Sequence, residues 1–255
     1  MTATETIHAI VSQEEWLEAR KALLEEEKAH TRQRDQLSRK RRQLPWVKVD
    51  ENYVFDGSDG SVTLSELFAG RTQLMVYHFM LGPDQAEGCP SCSLVADNID
   101  GALVHLTQRD TTLVMVSRAP IEKIEAFRRR MGWNCRWVSS YRNRFNWDYH
   151  VSFTSEEMKK GAVYYNFGLN EFPATEAPGL SVFYQDPAGN IFHTYSAYAR
   201  GLEPLLGTYD LLDMTPNGRD EDNLSFTMSW VRHHDRYPEI QAAQAGSCCH
   251  SLEQS

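Results

Sequence analysis

From Ser12 to about Leu44 the chain runs without Gly or Pro, as "SQEEWLEARKALLEEEKAHTRQRDQLSRKRRQL". Ser12 and Glu15 stand at capping-box spacing, and the stretch is rich in Glu, Lys, Arg, Ala and Leu, so one long helix is predicted, ended by Pro45. Trp16, Leu23, Leu37 and Leu44 recur at multiples of seven, with His30 in the missing place. That gives a narrow apolar stripe between charged flanks, suited to a homodimer through this helix or to packing across the domain. The basic run Arg39 to Arg42 reads as a solvated face before it reads as a phosphate contact.

Beyond Pro45 the pattern changes period. "WVKVDENYVF", the turn "DGSDG", "SVTLSELF" and the apolar run "QLMVYHFML" predict two early strands, a capped helical turn and a buried central strand. After a loop over Gly82 to Gly88, Val95, Ile99, Leu103 and Leu106 keep a helical rhythm. "TTLVMVSR" is a second buried strand, and "PIEKIEAFRRRMG" a helix with Pro120 at its start and Gly132 just past its end. Strand, helix, strand, helix is a right-handed parallel βαβ pattern, and the predicted fold class is α/β. Trp133 to Phe172 is dense in aromatics and less regular, and is expected to be an insertion that caps the domain. "LSVFYQD", "PAGN" and "IFHTYSAY" predict a hairpin. The remainder alternates loop with short helical stretches, and the low-complexity tail "QAAQAGSCCHSLEQS" is expected to be disordered. The chain thus divides into residues 1–45, 46–205 and 206–255.

Composition narrows the partners. Acidic residues (35) outnumber basic ones (26), a net charge of −9 that argues against nucleic acid or an anionic membrane as partner. No apolar run is long enough for a membrane span, and "MTATETIHAIVSQEEW" lacks the layout of a secretory signal, so a cytoplasmic protein is expected. Five cysteines are too few for a disulfide scaffold.

The candidate chemistry lies in "EGCPSCSLVADN", residues 87–98. A thiol becomes a nucleophile as its thiolate, and a helix N-terminus stabilises that anion through free N–H groups and the helix dipole. With Cys89 at the N-cap and Pro90 at the first helical position, the Cys89 sulfur is expected to be exposed and acidified. Cys92, one turn on, is positioned to attack a mixed disulfide from within. A zinc site would require four ligands, and no second C-x-x-C or H-x₃₋₅-H exists, so neither metal nor cofactor is predicted. Two other readings stay open: a non-catalytic partner-binding module, and a thiol protein holding a soft metal ion.

The order of elements, with CPSC after the central strand and "APGLSVFYQDPAGNIFHTY" near the end, resembles the thioredoxin superfamily. That resemblance implies a thioredoxin-like fold in which Pro178 faces the dithiol with a cis peptide bond and helps bind substrate. More specifically, "EEWLEARKALLEEEK", "LPWV", "VYHFML", "CPSCS", "FNWDYHVSF" and "HTYSAYARGLEPLLGTYDLLD" resemble an uncharacterised thioredoxin-like family, a domain of unknown function predicted to be dithiol–disulfide oxidoreductases. The resemblance covers residues 12 to 237. It implies Cys89 and Cys92 as the redox pair and a protein or low-molecular-weight thiol or disulfide as substrate. Peroxiredoxins are a looser match: Pro83 precedes Cys89 with no Ser or Thr between them, which leaves peroxide reduction as a secondary activity.

Other residues carry weaker expectations. His78, beside the dithiol in sequence, is a proton carrier or a hydrogen-bonded core histidine. The aromatic insertion, Trp147 included, roofs the site or fills a core, and Arg142 and Arg144 within it are candidates to hold an anionic thiol such as glutathione. His233, His234 and Asp235 read as a surface helix end, and Cys135 as structural. Cys248 and Cys249 are possible accessory thiols on the tail.

Overall fold

A computed structural model describes residues 8–238 and residue 240, so Cys248 and Cys249 lie outside the described residues. It divides between Pro45 and Trp46 into two units. The first holds α1 (Gln13–Arg41), where Ser12 and Glu15 form the reciprocal capping box read from the sequence. Glu14 and Glu15 in its first turn and Arg39 to Arg41 in its last both complement the helix dipole.

The second unit is built on one eight-stranded sheet. Its first half comprises β1 (Val47–Lys48), β2 (Val54–Gly57), β3 (Gly60–Thr63), α2 (Leu64–Leu67), β4 (Gln73–His78), α3 (Pro90–Asp100), α4 (Leu103–Thr107), β5 (Thr111–Ser117), α5 (Ile121–Met131) and β6 (Arg136–Ser139). Then come α6 (Phe145–Asp148), α7 (Ser155–Lys159), a small separate hairpin of β7 (Val163–Tyr165) and β8 (Gly168–Asn170), β9 (Gly179–Gln185), β10 (Ile191–Tyr198) and α8 (Gly207–Leu212). The strand order is β1-β10-β9-β4-β5-β6-β2-β3. β4, β5 and β6 run parallel, with Val76 opposite Val114 and Val116 opposite Val138. β9 returns antiparallel on the other side of β4, setting Gly179 opposite His78, and β10 closes the hairpin. This is the thioredoxin-like fold expected from the order of elements.

Side-chain alternation along the central strands divides the core in two. Tyr77 and Phe79 face a cluster shared with Cys92, Val95 and Ile99 of α3 and Ile124 and Phe127 of α5. Leu74 and Val76 face the other way, against Phe55, Leu67, Phe68 and Phe145. Both faces of the sheet are therefore covered, as buried parallel strands require.

Two expectations change here. The aromatic stretch after Trp133 is no mere cap, because its first part supplies β6, a four-residue strand paired to β5, with Trp137 and Val138 buried on opposite faces. Sheet pairing, which no short sequence period reveals, sets that strand. The segment after Leu205 is equally part of the core: Leu206 and Tyr209 are buried against the α3 side, with Leu212, Met228 and Trp230 packed on them. Among the described residues no helix is long and apolar enough to cross a membrane.

Candidate active site

Cys89 is the N-cap of α3, in extended conformation (φ −62°, ψ 131°), and Pro90 opens the helix where its missing N–H costs nothing. The loop before it is held from several sides. The Cys89 N–H donates to Met80 O (3.1 Å), Ser93 donates to Cys89 O through both its amide and its hydroxyl (2.9 Å each), and Lys123 Nζ donates to Pro83 O (2.8 Å). Gly88 packs flat against Phe79 and Phe127, where a Cβ would fall within 2.8 Å of both rings. The absence of a side chain lets the backbone reach the sheet and aim Cys89 outward.

The two sulfurs differ by depth. Cys89 is half-buried, whereas Cys92 is 2 % exposed, and neither is in a disulfide. The Cys92 thiol hydrogen-bonds the Cys89 sulfur and, opposed by burial, lowers the Cys89 pKa to about 6, with help from the Cys92 and Ser91 backbone N–H groups and the Ser91 side chain. Burial raises the Cys92 thiol well above its ordinary value, and the adjacent Cys89 sulfur adds to that rise, while Tyr77 and the Met80 backbone work against it. The fully buried Tyr77 hydroxyl stands beside Cys92 and stays protonated, chiefly through burial and then through the neighbouring sulfurs. An outer sulfur thus rests on an inner one, with a phenol behind them.

Above the dithiol opens a cavity of about 380 Å³, lined by Tyr77, Met80, Cys89, Cys92, Pro178 and the C-terminal residues Leu206, Tyr209 and Met228 among others. Pro178 is therefore brought to the dithiol, but its peptide bond is trans, since no cis bond occurs among the described residues. This corrects the cis expectation, and local bonding explains it. The Pro178 carbonyl accepts from Tyr165 Oη (2.7 Å) and the Ala177 N–H donates to Val151 O (2.8 Å), so the segment is satisfied in the intrinsically preferred isomer.

The remaining candidates lie elsewhere. His78 points to the opposite side of the sheet from Tyr77, as strand alternation demands. It is fully buried, shares a 2.9 Å hydrogen bond with Ser181 Oγ, stacks on Phe145, and has its pKa lowered to about 3, first by burial and then by the nearby His193. It is a neutral core histidine out of reach of the sulfurs. Trp147 carries the Arg118 guanidinium 3.8 Å from its ring centre, and Arg144 pairs with Asp148 at 3.5 Å. Those two line a separate surface cavity with His150 and Phe153, and Arg142 pairs with Asp56. None of them lines the cavity over Cys89. Cys135 is buried, its thiol pushed up to about 12 by burial and then by Asp100. Among the described residues no group of three or more His, Cys, Asp or Glu side chains is arranged to hold a metal ion.

One contributor has a contact that the sequence did not reveal. His233 does stand at a helix end, capping a short 3-10 turn over His234–Arg236, but it is 2 % exposed and not on the surface, and the carbonyl of Gly88 at the mouth of α3 takes its Nε2 hydrogen bond at 2.8 Å. Arg130 donates to His233 Nδ1 (3.2 Å), which fixes Nδ1 as acceptor and leaves the proton on Nε2. Arg130 also binds Asp235 through two 2.8 Å bonds and Glu87 at 3.1 Å, so the C-terminal strap and the dithiol loop share one guanidinium. His234 completes the strap on Asp97 (2.7 Å).

Residues 5–237 match the family described as "Bacterial protein of unknown function (DUF899)". The chain belongs to that family. The match takes in the N-terminal helix, the dithiol and the His233 strap alike. No curated protein matches the chain. Among solved structures it is similar to a cysteine-to-serine variant of Xanthomonas campestris peroxiredoxin Q, at 13 % identity and TM-score 0.43, over 63 % of this chain and 90 % of that one. It is also similar to the peroxidoxin BcpB from Mycobacterium tuberculosis, at 12 % identity and TM-score 0.43, over 65 % of this chain and 95 % of that one. A Xylella fastidiosa PrxQ variant stands at 13 % and 0.42, over 65 % and 94 %. At that distance a shared activity does not follow.

Proposed function

We propose that this member of the family is a thiol–disulfide oxidoreductase in which Cys89 attacks and Cys92 resolves. The observation that carries the reading is the vertical pairing at the mouth of α3: a half-buried sulfur acidified to about 6 over a buried sulfur that donates to it. At neutral pH the outer sulfur is ionised and the inner one keeps its proton. Attack by Cys89 on a disulfide sulfur gives a mixed disulfide and releases one thiolate. Conversion of Cys89 from thiolate to disulfide then removes the negative charge that held the Cys92 proton in place, so Cys92 ionises more readily and displaces the second thiol. The protein is left with a Cys89–Cys92 bridge, oxidised by two electrons, and the substrate is reduced by two.

The test is a redox titration with mass spectrometry on the wild-type protein and on Cys92→Ser. Wild type is expected to lose two hydrogens between Cys89 and Cys92 at a defined potential, and Cys92→Ser to accumulate a mixed disulfide on Cys89. A bridge between other cysteines, or binding of a protein partner undiminished in Cys89→Ser, would favour the module reading instead.

A further inference from the structure

Whatever Cys89 attacks must pass the cavity above it, and the walls of that cavity are chemically one-sided. Met80, Val95, Leu202, Leu206 and Met228 line it with apolar surface beside the two sulfurs. Charged side chains are present, but each already has a partner. Arg219 is bound to Asp213 at 2.7 Å and lies 4.0 Å over the ring of Tyr209. Glu221 accepts from Tyr209 Oη (2.8 Å), Trp230 Nε1 (2.6 Å) and the Met228 N–H (2.9 Å), and Arg200 pairs with Glu203 at 2.7 Å. Two arginines against two glutamates give the wall no net charge, and the Glu221 carboxylate is spent on holding the C-terminal segment closed.

The backbone beside the dithiol is equally committed. Pro178 has no N–H, its carbonyl is taken by Tyr165, the Ala199 N–H donates to Tyr165 Oη (3.0 Å), and Gly179 is paired within the sheet. Among these described residues an extended peptide finds no free edge to pair with next to Cys89. A charged tripeptide disulfide finds no arginine among the described residues of the cavity wall without a carboxylate partner.

From this we infer that the substrate class of the site is a low-molecular-weight disulfide bearing an uncharged, apolar arm, which the C-terminal segment Leu206–Met228 encloses over Cys89. The inference rests on the oxidoreductase reading and sharpens it. The volume, about 380 Å³, lies within the range of small-molecule pockets. In the reaction R–S–S–R′ plus the dithiol yields R–SH, R′–SH and the Cys89–Cys92 disulfide. The arm R stays in the cavity as Cys89–S–S–R until Cys92 breaks that bond, and an added dithiol such as dithiothreitol returns the protein to its reduced form.

Alkyl 2-pyridyl disulfides test this on the full chain, because the leaving group and hence the intrinsic reactivity stay fixed while the arm varies. Release of pyridine-2-thione is expected to quicken about fourfold for each methylene added from ethyl to hexyl, the gain for burying one methylene group. A free C-x-x-C peptide should show no such slope, and 2-carboxyethyl and 2-ammonioethyl arms should react at least about tenfold more slowly than butyl. Met228→Asp should flatten the slope, and Thr227→Trp, which fills the cavity from a second position, should cut the hexyl rate most. Rates flat with arm length, or oxidised glutathione or insulin reduced faster than the butyl compound, overturn the inference while leaving the oxidoreductase reading intact, provided R–SH is still released in a Cys92-dependent step. Rates no faster than the free peptide with no Cys92-dependent release of R–SH bring down both.

Discussion

The Nε2–H of His233 donates to the carbonyl of Gly88 at 2.8 Å, across 145 residues of sequence and one residue before Cys89. The contact ties the last described segment of the chain to the mouth of α3. Replacing His233 by Ala leaves the Gly88 carbonyl and the Arg130 guanidinium short of partners in a buried place and removes a ring that packs 5.2 Å from Phe127. A loss of about 1–3 kcal/mol in urea denaturation is expected. A variant as stable as wild type would show the strap to be incidental.

The acidity of Cys89 gives a pH profile. Only the thiolate is alkylated, so the rate with iodoacetamide should pass its half-maximum near pH 6 and level off roughly two pH units higher, whereas an ordinary thiol has its midpoint near about 8.5. Because the Cys92 thiol is the largest cause of the shift, Cys92→Ala should move the midpoint upward. A midpoint left in place by that change would assign the acidity to the helix mouth alone.

Tyr77→Phe separates the two chemical steps. The hydroxyl favours the ionised form of Cys92, so in the proposed reaction its loss should slow resolution by about tenfold and let the mixed disulfide accumulate. Quenched-flow mass spectrometry reads the mixed disulfide directly. Attack and resolution slowed in equal proportion would mean that the ring only packs.

Gly88→Ala tests how tightly the loop is seated. The new methyl group would meet Phe79 at 2.7 Å and Phe127 at 2.8 Å, and Trp133 and Trp137 pack behind those rings. Overpacking there should cost about 1–3 kcal/mol and raise the alkylation midpoint of Cys89 as the N-cap is pushed out of register. Calorimetry and the alkylation profile report the two effects independently.

What the sequence reveals here is what neighbouring residues decide. Ser12 with Glu15, Pro90 behind Cys89 and Gly132 after Met131 announce their caps locally, and all three stand at helix ends. The central strands are legible because each is a continuous apolar run. β6 is not, since four residues carry no period and only their pairing with β5, from Val114 opposite Arg136 to Ser117 opposite Ser139, makes them a strand. His78 lies eleven residues before Cys89 yet on the far face of the sheet, a distinction that rests on the strand parity fixed by Tyr77 and Phe79. The cavity walls were hidden for a further reason. Met228, Glu221 and Arg219 stand in a polar, irregular stretch ordered by side-chain contacts, among them those with Tyr209 and Trp230, that no local pattern announces.

The burial of Cys92 beneath Cys89 also bears on damage. An oxidant entering from solvent meets the outer sulfur first, and a sulfenic acid formed there already lies against a thiol able to condense with it, expelling water before a second oxygen atom arrives. In the proposed reaction one helical turn of depth thus sets condensation against overoxidation, and the injury would close into the same Cys89–Cys92 bond that the catalytic cycle forms.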